Sequence, residues 1–79
     1  MELTLLELPS GSSAVIRRLE EGKALQQKLA LLNIRVGKTL RKVAEQPFHG
    51  PVVIEIDHTE ATLGMHMAEK IIVEPVAGD

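Results

Sequence analysis

Apolar positions recur at helical spacing most clearly in the stretch KALQQKLALLNIRVGK, residues 23–38. Three leucines lie there at i, i+4 and i+7, on one face of a helix, and are predicted to belong to the core. They are Leu25, Leu29 and Leu32. Asn33 follows, and asparagine readily adopts the left-handed conformation that ends a helix, with the next apolar residue packed on the last turn. Gly37 provides a glycine where a tight turn needs positive φ. The stretch therefore predicts a helix that ends, turns sharply and leads into a strand.

The remaining pattern predicts short strands separated by turn residues. These strands cover residues 12–19, 38–45, 52–57, 60–63 and 71–76. One helical turn is expected at residues 65–70, while residues 1–8 fit either a strand or a short turn. The β-branched run of the third strand predicts a position inside the sheet. Short, evenly spaced strands in 79 residues favour a mainly β fold, a small partly open barrel of about five strands with one short helix and one helical turn.

Composition limits the class of protein. Seventy-nine residues with 44% apolar content predict one globular domain over residues 1–79. The chain contains no apolar run near the ~20 residues that a bilayer requires and no basic-then-apolar leader, so we expect neither membrane insertion nor export. It contains no cysteine, which fits a reducing cytoplasm and excludes a thiolate metal site. A homo-oligomer remains open for so small a domain.

Aromatic residues and charge decide which macromolecules the surface suits. Phe48 is the only aromatic residue, so the chain cannot build a base-stacking surface, and its net charge of −2 disfavours nucleic acid. Residues 1–45 carry eight Lys/Arg against five acidic residues, whereas residues 46–79 carry one against six. Two interpretations stay open: charges that mix on the folded surface, or a basic patch that steers docking to an acidic partner.

Candidate chemistry is sparse. The glycines do not form a phosphate-binding loop, and no histidine lies near the serines at 10, 12 and 13 to activate them, so an enzyme is not expected. The three histidines show no chelating spacing, and the densest group of metal ligands is Asp57-His58 with Glu60. We therefore expect no cofactor and no metal site, with weak divalent-metal binding as the alternative.

The exposed face of the predicted helix is the better candidate for function. Its long polar side chains, the basic residue at the following turn and one apolar residue as a partly exposed anchor would form a partner-binding surface. These residues are Lys23, Gln27, Lys28, Leu31 and Arg35. The alternative is a face that only keeps the protein soluble.

Three runs in this order, ALQQKLALLNIRVGKTL, PFHGPVVIEI and ATLGMHMAEKIIVEP, give the chain a family resemblance. It resembles the ferrous iron transport protein A (FeoA) family. Leu32-Asn33-Ile34 stands where the family has Leu-Gly-Leu/Ile, Val36-Gly37 stands for Pro-Gly, and Pro47 and Pro51 flank the family's Pro-x-Gly-x-Pro loop. Gly64 lies where a basic residue is usual, which removes any partner contact made through that side chain.

The resemblance implies an SH3-like barrel and an accessory role. Members of this family are expected to be cytoplasmic partners of FeoB, the membrane ferrous-iron transporter. The cytoplasmic part of FeoB carries a GTP-binding domain. The same barrel also forms the C-terminal domain of some metal-dependent repressors. The resemblance therefore implies docking to FeoB, with a metal-sensing or metal-binding domain as the alternative.

Overall fold

The structure is a computed structural model that describes residues 1–20 and 22–76. Its elements are β1 (Leu3–Thr4), β2 (Ser13–Leu19), α1 (Lys23–Ala30), β3 (Thr39–Glu45), β4 (Val52–Ile56), β5 (Thr59–Leu63), α2 (Met65–Ala68) and β6 (Ile71–Pro75). The strands form one antiparallel sheet in the order β1-β6-β2-β3-β4-β5, which leaves β1 and β5 at its edges. The fold is thus the mainly β, partly open SH3-like barrel that the sequence predicts, with six strands instead of about five.

The additional strand is β1, in the segment that fitted either a strand or a turn. Leu3 pairs with Val73 and Thr4 with Ile72 of β6. The next residues turn, so β1 is only two residues long. Leu5 and Leu8, which follow, are nonetheless buried in the core. The short length hides this strand in the sequence, because two residues show no alternation.

Burial alternates along β4 as strand geometry requires. Val52, Ile54 and Ile56 are buried, and the residues between them are half-buried. The strand pairs with β3 on one side and β5 on the other, which confirms the predicted position inside the sheet. The link from β4 to β5 is the two-residue turn Asp57-His58, where both residues have positive φ, 52° and 64°. This is the geometry of a type I′ hairpin turn.

The end of α1 follows the predicted capping motif. Asn33 has φ 66°, the Ile34 N–H donates to the Leu29 carbonyl at 3.0 Å, and the Asn33 N–H donates to the Ala30 carbonyl at 3.0 Å. These two bonds define a Schellman motif. Ile34 and Leu29 are both buried, as expected of its hydrophobic contact. Gly37 also has positive φ, 95°.

The prediction that Leu32 belongs to the core is wrong. Its side chain is 42% exposed, whereas Leu29 is buried and Leu25 is half-buried against the core. The regular helix ends at Ala30, so Leu32 lies in the capping turn, where helical spacing no longer determines direction. Ile34 instead occupies the core beyond the turn.

Among residues 1–20 and 22–76, the core contains one charged residue, Lys42 of β3, whose exposure is 1%. No local pattern in the sequence distinguishes this lysine from the other basic residues. Its Nζ donates to the carbonyls of Leu5, Leu6 and Leu8 at 3.2, 3.0 and 2.8 Å, and to Oε1 of Glu45 at 2.5 Å. The ammonium group thus joins the N-terminal segment to the sheet.

Within residues 1–20 and 22–76, no helix has the length and apolar character needed to span a membrane.

Candidate functional site

All five side chains of the predicted partner-binding surface are exposed. Lys23, Gln27 and Leu31 follow one another at four-residue intervals, which places them in one row along α1. Lys28 lies beside this row, and Arg35 follows the turn that ends the helix. The structure therefore brings the first four onto one helix face and adds Arg35 at its C-terminal end.

The cations of this surface differ from the other basic residues. Arg17, Arg18, Lys38, Arg41 and Lys42 each form an ion pair with a carboxylate. Three of these pairs join the basic first part of the chain to the acidic second part, which mixes much of the uneven charge. Lys23, Lys28 and Arg35 form no ion pair among the residues that the structure describes. Their positive charge is left facing solvent on one side of the domain.

Apolar side chains lie next to these cations. Leu31 is 87% exposed, more than the partly exposed anchor that the sequence predicts, and Val36 is 61% exposed. With the half-exposed Leu32, three large apolar residues occur within a stretch of six. Such a concentration of exposed apolar side chains is typical of an interaction site.

A groove of about 480 Å³ lies at the C-terminal end of α1. One wall comes from the end of the helix and its capping turn, and the other from the β4–β5 hairpin. Its lining includes Leu31, Leu32, Arg35, Ile56, Glu60 and Ala61. The hairpin residues were not among the predicted site residues, because no local pattern indicates which distant segment packs beside a helix end.

The two walls are joined by side-chain hydrogen bonds. Asn33 Nδ2 donates to Oδ2 of Asp57 at 2.8 Å, and Lys38 Nζ lies 2.5 Å from the same oxygen. Asn33 and Asp57 are both in the left-handed region, one at the helix end and the other in the hairpin turn. This carboxylate therefore fixes the position of the hairpin relative to the capping turn.

The histidines lie apart in the fold. His49 and His58 are in the loops at opposite ends of β4, and His66 is on α2, where its Nδ1 lies 3.3 Å from Oε1 of Glu69. The Asp57 carboxylate, part of the densest group of ligands in the sequence, is bonded to Asn33 and Lys38. Across residues 1–20 and 22–76, no three His, Asp or Glu side chains come close enough to hold a metal ion.

Two further surface features were missed by sequence reasoning. Phe48 lies at the tip of the β3–β4 loop, is 96% exposed, and has positive φ, as does His49. A second, mainly apolar cavity of about 410 Å³ separates the start of α1 from α2, between Leu25 and Met67. The loop's glycine and prolines predicted a turn but gave no sign that its aromatic residue is left in solvent.

The two sequence comparisons agree on one protein family. The sequence model of the FeoA domain matches residues 3–75. A Methanocaldococcus jannaschii protein with the provisional name Fe(2+) transport protein A is 28% identical over 64 residues, which are 81% of this chain and 76% of that protein.

Solved structures agree in fold. The iron(II) transport protein A of Clostridium thermocellum is 33% identical with a TM-score of 0.88, covering 96% of this chain and 47% of the other. The crystal structure of an iron uptake regulatory protein, FeoA, has a TM-score of 0.87 at 21% identity, covering 96% and 99% of the two chains. The repressor ScaR, solved with bound Cd²⁺, has a TM-score of 0.85 at 28% identity. The match covers 94% of this chain but only 35% of ScaR.

Proposed function

Since the chain belongs to the FeoA domain family, we propose that it is a non-enzymatic accessory protein of ferrous iron uptake that docks to the cytoplasmic part of the transporter FeoB. The docking surface is the exposed row of α1 with its C-terminal turn: Lys23, Gln27, Lys28, Leu31 and Arg35. The protein acts in the cytoplasm, where that part of the transporter is accessible.

One observation supports this surface above any other. Among residues 1–20 and 22–76, its three basic side chains take no part in the ion pairs that hold five other Lys/Arg side chains, and Leu31 is exposed on the same helix face. Cations without partners can attract an acidic surface from a distance, while an exposed leucine supplies apolar contact after docking. Together they form the arrangement of a protein-binding face: an apolar centre with a charged rim.

The test is calorimetry with the purified cytoplasmic domain of FeoB in its GTP, GDP and nucleotide-free states. We expect binding in at least one state. Charge reversal at Lys28 and Arg35 together should weaken it about tenfold, because each lost surface attraction contributes up to about 1 kcal/mol. Leu31→Ser should weaken binding through the apolar contact without changing its salt dependence.

The matched control is Arg18→Glu. Arg18 is also exposed, but it lies on β2 and pairs with Glu2 at 3.1 Å, so its reversal should leave affinity unchanged. Absence of binding in every nucleotide state would refute docking. Equal loss in the control and in each single reversal, at Lys28 or at Arg35, would mean that overall charge, rather than this surface, governs the interaction.

The second candidate function is a metal-sensing or metal-binding domain, favoured by the likeness to ScaR. The described part of this chain groups no three ligands around a common point, so the likeness extends to the fold and does not include a built site. Titration with ferrous and zinc ions separates the two functions. A stoichiometric site that His58→Ala abolishes would support sensing, and the absence of heat would reject it.

A further inference from the structure

The outer edge of β5 is an unused row of backbone hydrogen-bonding groups. Ile56 pairs with Thr59 across the two-residue turn, so the pairs alternate from there between bonded and non-bonded. Thr59, Ala61 and Leu63 therefore bond to β4. Glu60 and Thr62 direct their N–H and C=O groups away from it. Within residues 1–20 and 22–76, no other strand pairs with this edge.

The groove described above runs beside this edge. Ala61 lies on the same wall as the edge, and Leu31 and Leu32 lie on the opposite wall. A strand added to β5 would lie roughly 4.8 Å from it and direct every second side chain to each face. Side chains on the groove face would meet Ala61 and the exposed leucines of the helix end. The inward positions of such a strand therefore favour apolar residues.

Charge at the hairpin edge favours a basic strand, since Glu60 lines the groove and alternates with Ala61 along β5. Glu60 lies directly opposite Glu55 of β4, and Glu55 is paired in turn with Arg41 of β3 at 3.6 Å. Like charges in directly opposed positions destabilise a sheet. Glu60 has no cationic partner in the part of the chain that the structure describes. A lysine or arginine at the matching position of an added strand would place a positive charge beside the Glu60 carboxylate.

We propose that the β5 edge binds an extended segment of a partner protein by strand addition, and that this segment alternates apolar and basic residues. The backbone of Glu60 and Thr62 supplies the hydrogen bonds, the groove receives the apolar side chains, and the Glu60 carboxylate selects the basic ones. A second copy of β5 is a poorer occupant, because it would bring another Glu60 to an edge that is already acidic.

The inference does not depend on docking to the transporter. It concerns another chemical class of ligand, a basic extended segment, whereas the α1 surface suits an acidic partner. Although the two sites share Leu31 and Arg35 at the end of the helix, only strand addition uses the β5 edge. A peptide experiment with the isolated chain can therefore fail while docking to FeoB stands, and the reverse also holds.

The experiment uses a short end-blocked peptide that alternates valine and lysine, with a valine–glutamate peptide as the matched probe. Binding is followed by NMR on the isotope-labelled chain. We expect the lysine peptide to bind and to slow amide exchange at Glu60 and Thr62, the two outward N–H groups. The glutamate peptide should bind at least tenfold more weakly.

Two variants test the backbone and charge components separately. Thr62→Pro removes an outward N–H that forms no bond to β4, a change that edge strands tolerate, and should abolish binding. Glu60→Lys should reverse the preference between the two peptides. Glu20→Lys, an equal charge change at an exposed residue outside the hairpin, should not alter it.

Three results would overturn the proposal. Equal binding of both peptides would remove the role of Glu60. Unchanged binding by Thr62→Pro, with its fold confirmed by NMR, would exclude strand addition. Protection of Glu60 and Thr62 that rises with protein concentration, without peptide, would show that the edge is occupied by a second copy.

Discussion

Replacement of Lys42 by methionine tests whether one buried ammonium group holds the N-terminal segment on the sheet. Methionine matches the unbranched shape of lysine and retains most of its apolar contacts, so the change removes mainly the charge and its hydrogen bonds. The carbonyls of Leu5 and Leu8 are buried where they accept from Nζ, at 3.2 and 2.8 Å. Both would lose this donor in a place that water does not reach.

The expected loss follows from these two groups. A buried polar group left without a partner costs about 1–3 kcal/mol, which gives about 2–6 kcal/mol for the pair. Methionine regains part of this, because the buried ammonium carries a desolvation penalty that an apolar side chain avoids. We expect a net loss of about 3 kcal/mol, against a total of about 4–12 kcal/mol for a domain of this size.

Urea unfolding measures the change. With a slope of about 1–1.5 kcal/mol per molar urea for a small domain, the midpoint should fall by about 2–3 M. Amide exchange should locate the effect, with faster exchange at Leu5 and Leu8, whose N–H groups donate to Ile71 and Thr4. Lys28→Met is the matched control on the surface and should change stability by less than about 0.5 kcal/mol. A Lys42→Met variant as stable as the parent chain would refute the reasoning.

Three further predictions concern turns and one ion pair. His58→Gly should stabilise the domain by about 0.5 kcal/mol in urea unfolding, because glycine adopts the left-handed position of the type I′ turn without strain. Asn33→Ala should cost about 1–2 kcal/mol, since it loses both the capping conformation and the bond to Asp57, while Asn33→Gly should cost less because the capping conformation remains. The hydrogen bond and positive charge of Arg17 lower the pKa of Glu74, so this pair stabilises the fold above the usual carboxyl pKa and the contribution disappears as pH falls through the lowered value. In an Arg17→Gln variant, carboxyl NMR titration should show the pKa of Glu74 rising toward its ordinary value.

Local signals explain the parts of the fold that the sequence predicts correctly. Asn33 and Ile34 form the expected capping motif because its hydrogen bonds connect residues at most five apart. The position of β4 inside the sheet follows from its β-branched run, which is local in the same sense. The prediction that Leu32 belongs to the core was wrong because the helix ends two residues earlier than the leucine spacing implied.

Features that depend on distant segments were not predicted. Lys42 lies in an ordinary strand pattern, and only the fold brings the carbonyls of residues 5–8 over its side chain. The groove also exists only because the fold brings distant segments together, since Leu31 and Glu60 are 29 positions apart in the chain. The helix side of the candidate site was therefore predictable from exposure and periodicity, while the hairpin side was not.

The groove walls owe their fixed positions to two strained turns that share one carboxylate. Asn33 and Asp57 both adopt left-handed backbone conformations, which cost an L-residue roughly 1–2 kcal/mol each. Oδ2 of Asp57 accepts from Asn33 and Lys38, and these bonds offset part of that cost. Because the helix end and the hairpin are held by the same oxygen, neither wall can move without breaking a charge-assisted bond. A ligand strand would therefore find the edge of β5 and the exposed leucines already in place, and its binding would require little reordering of the domain.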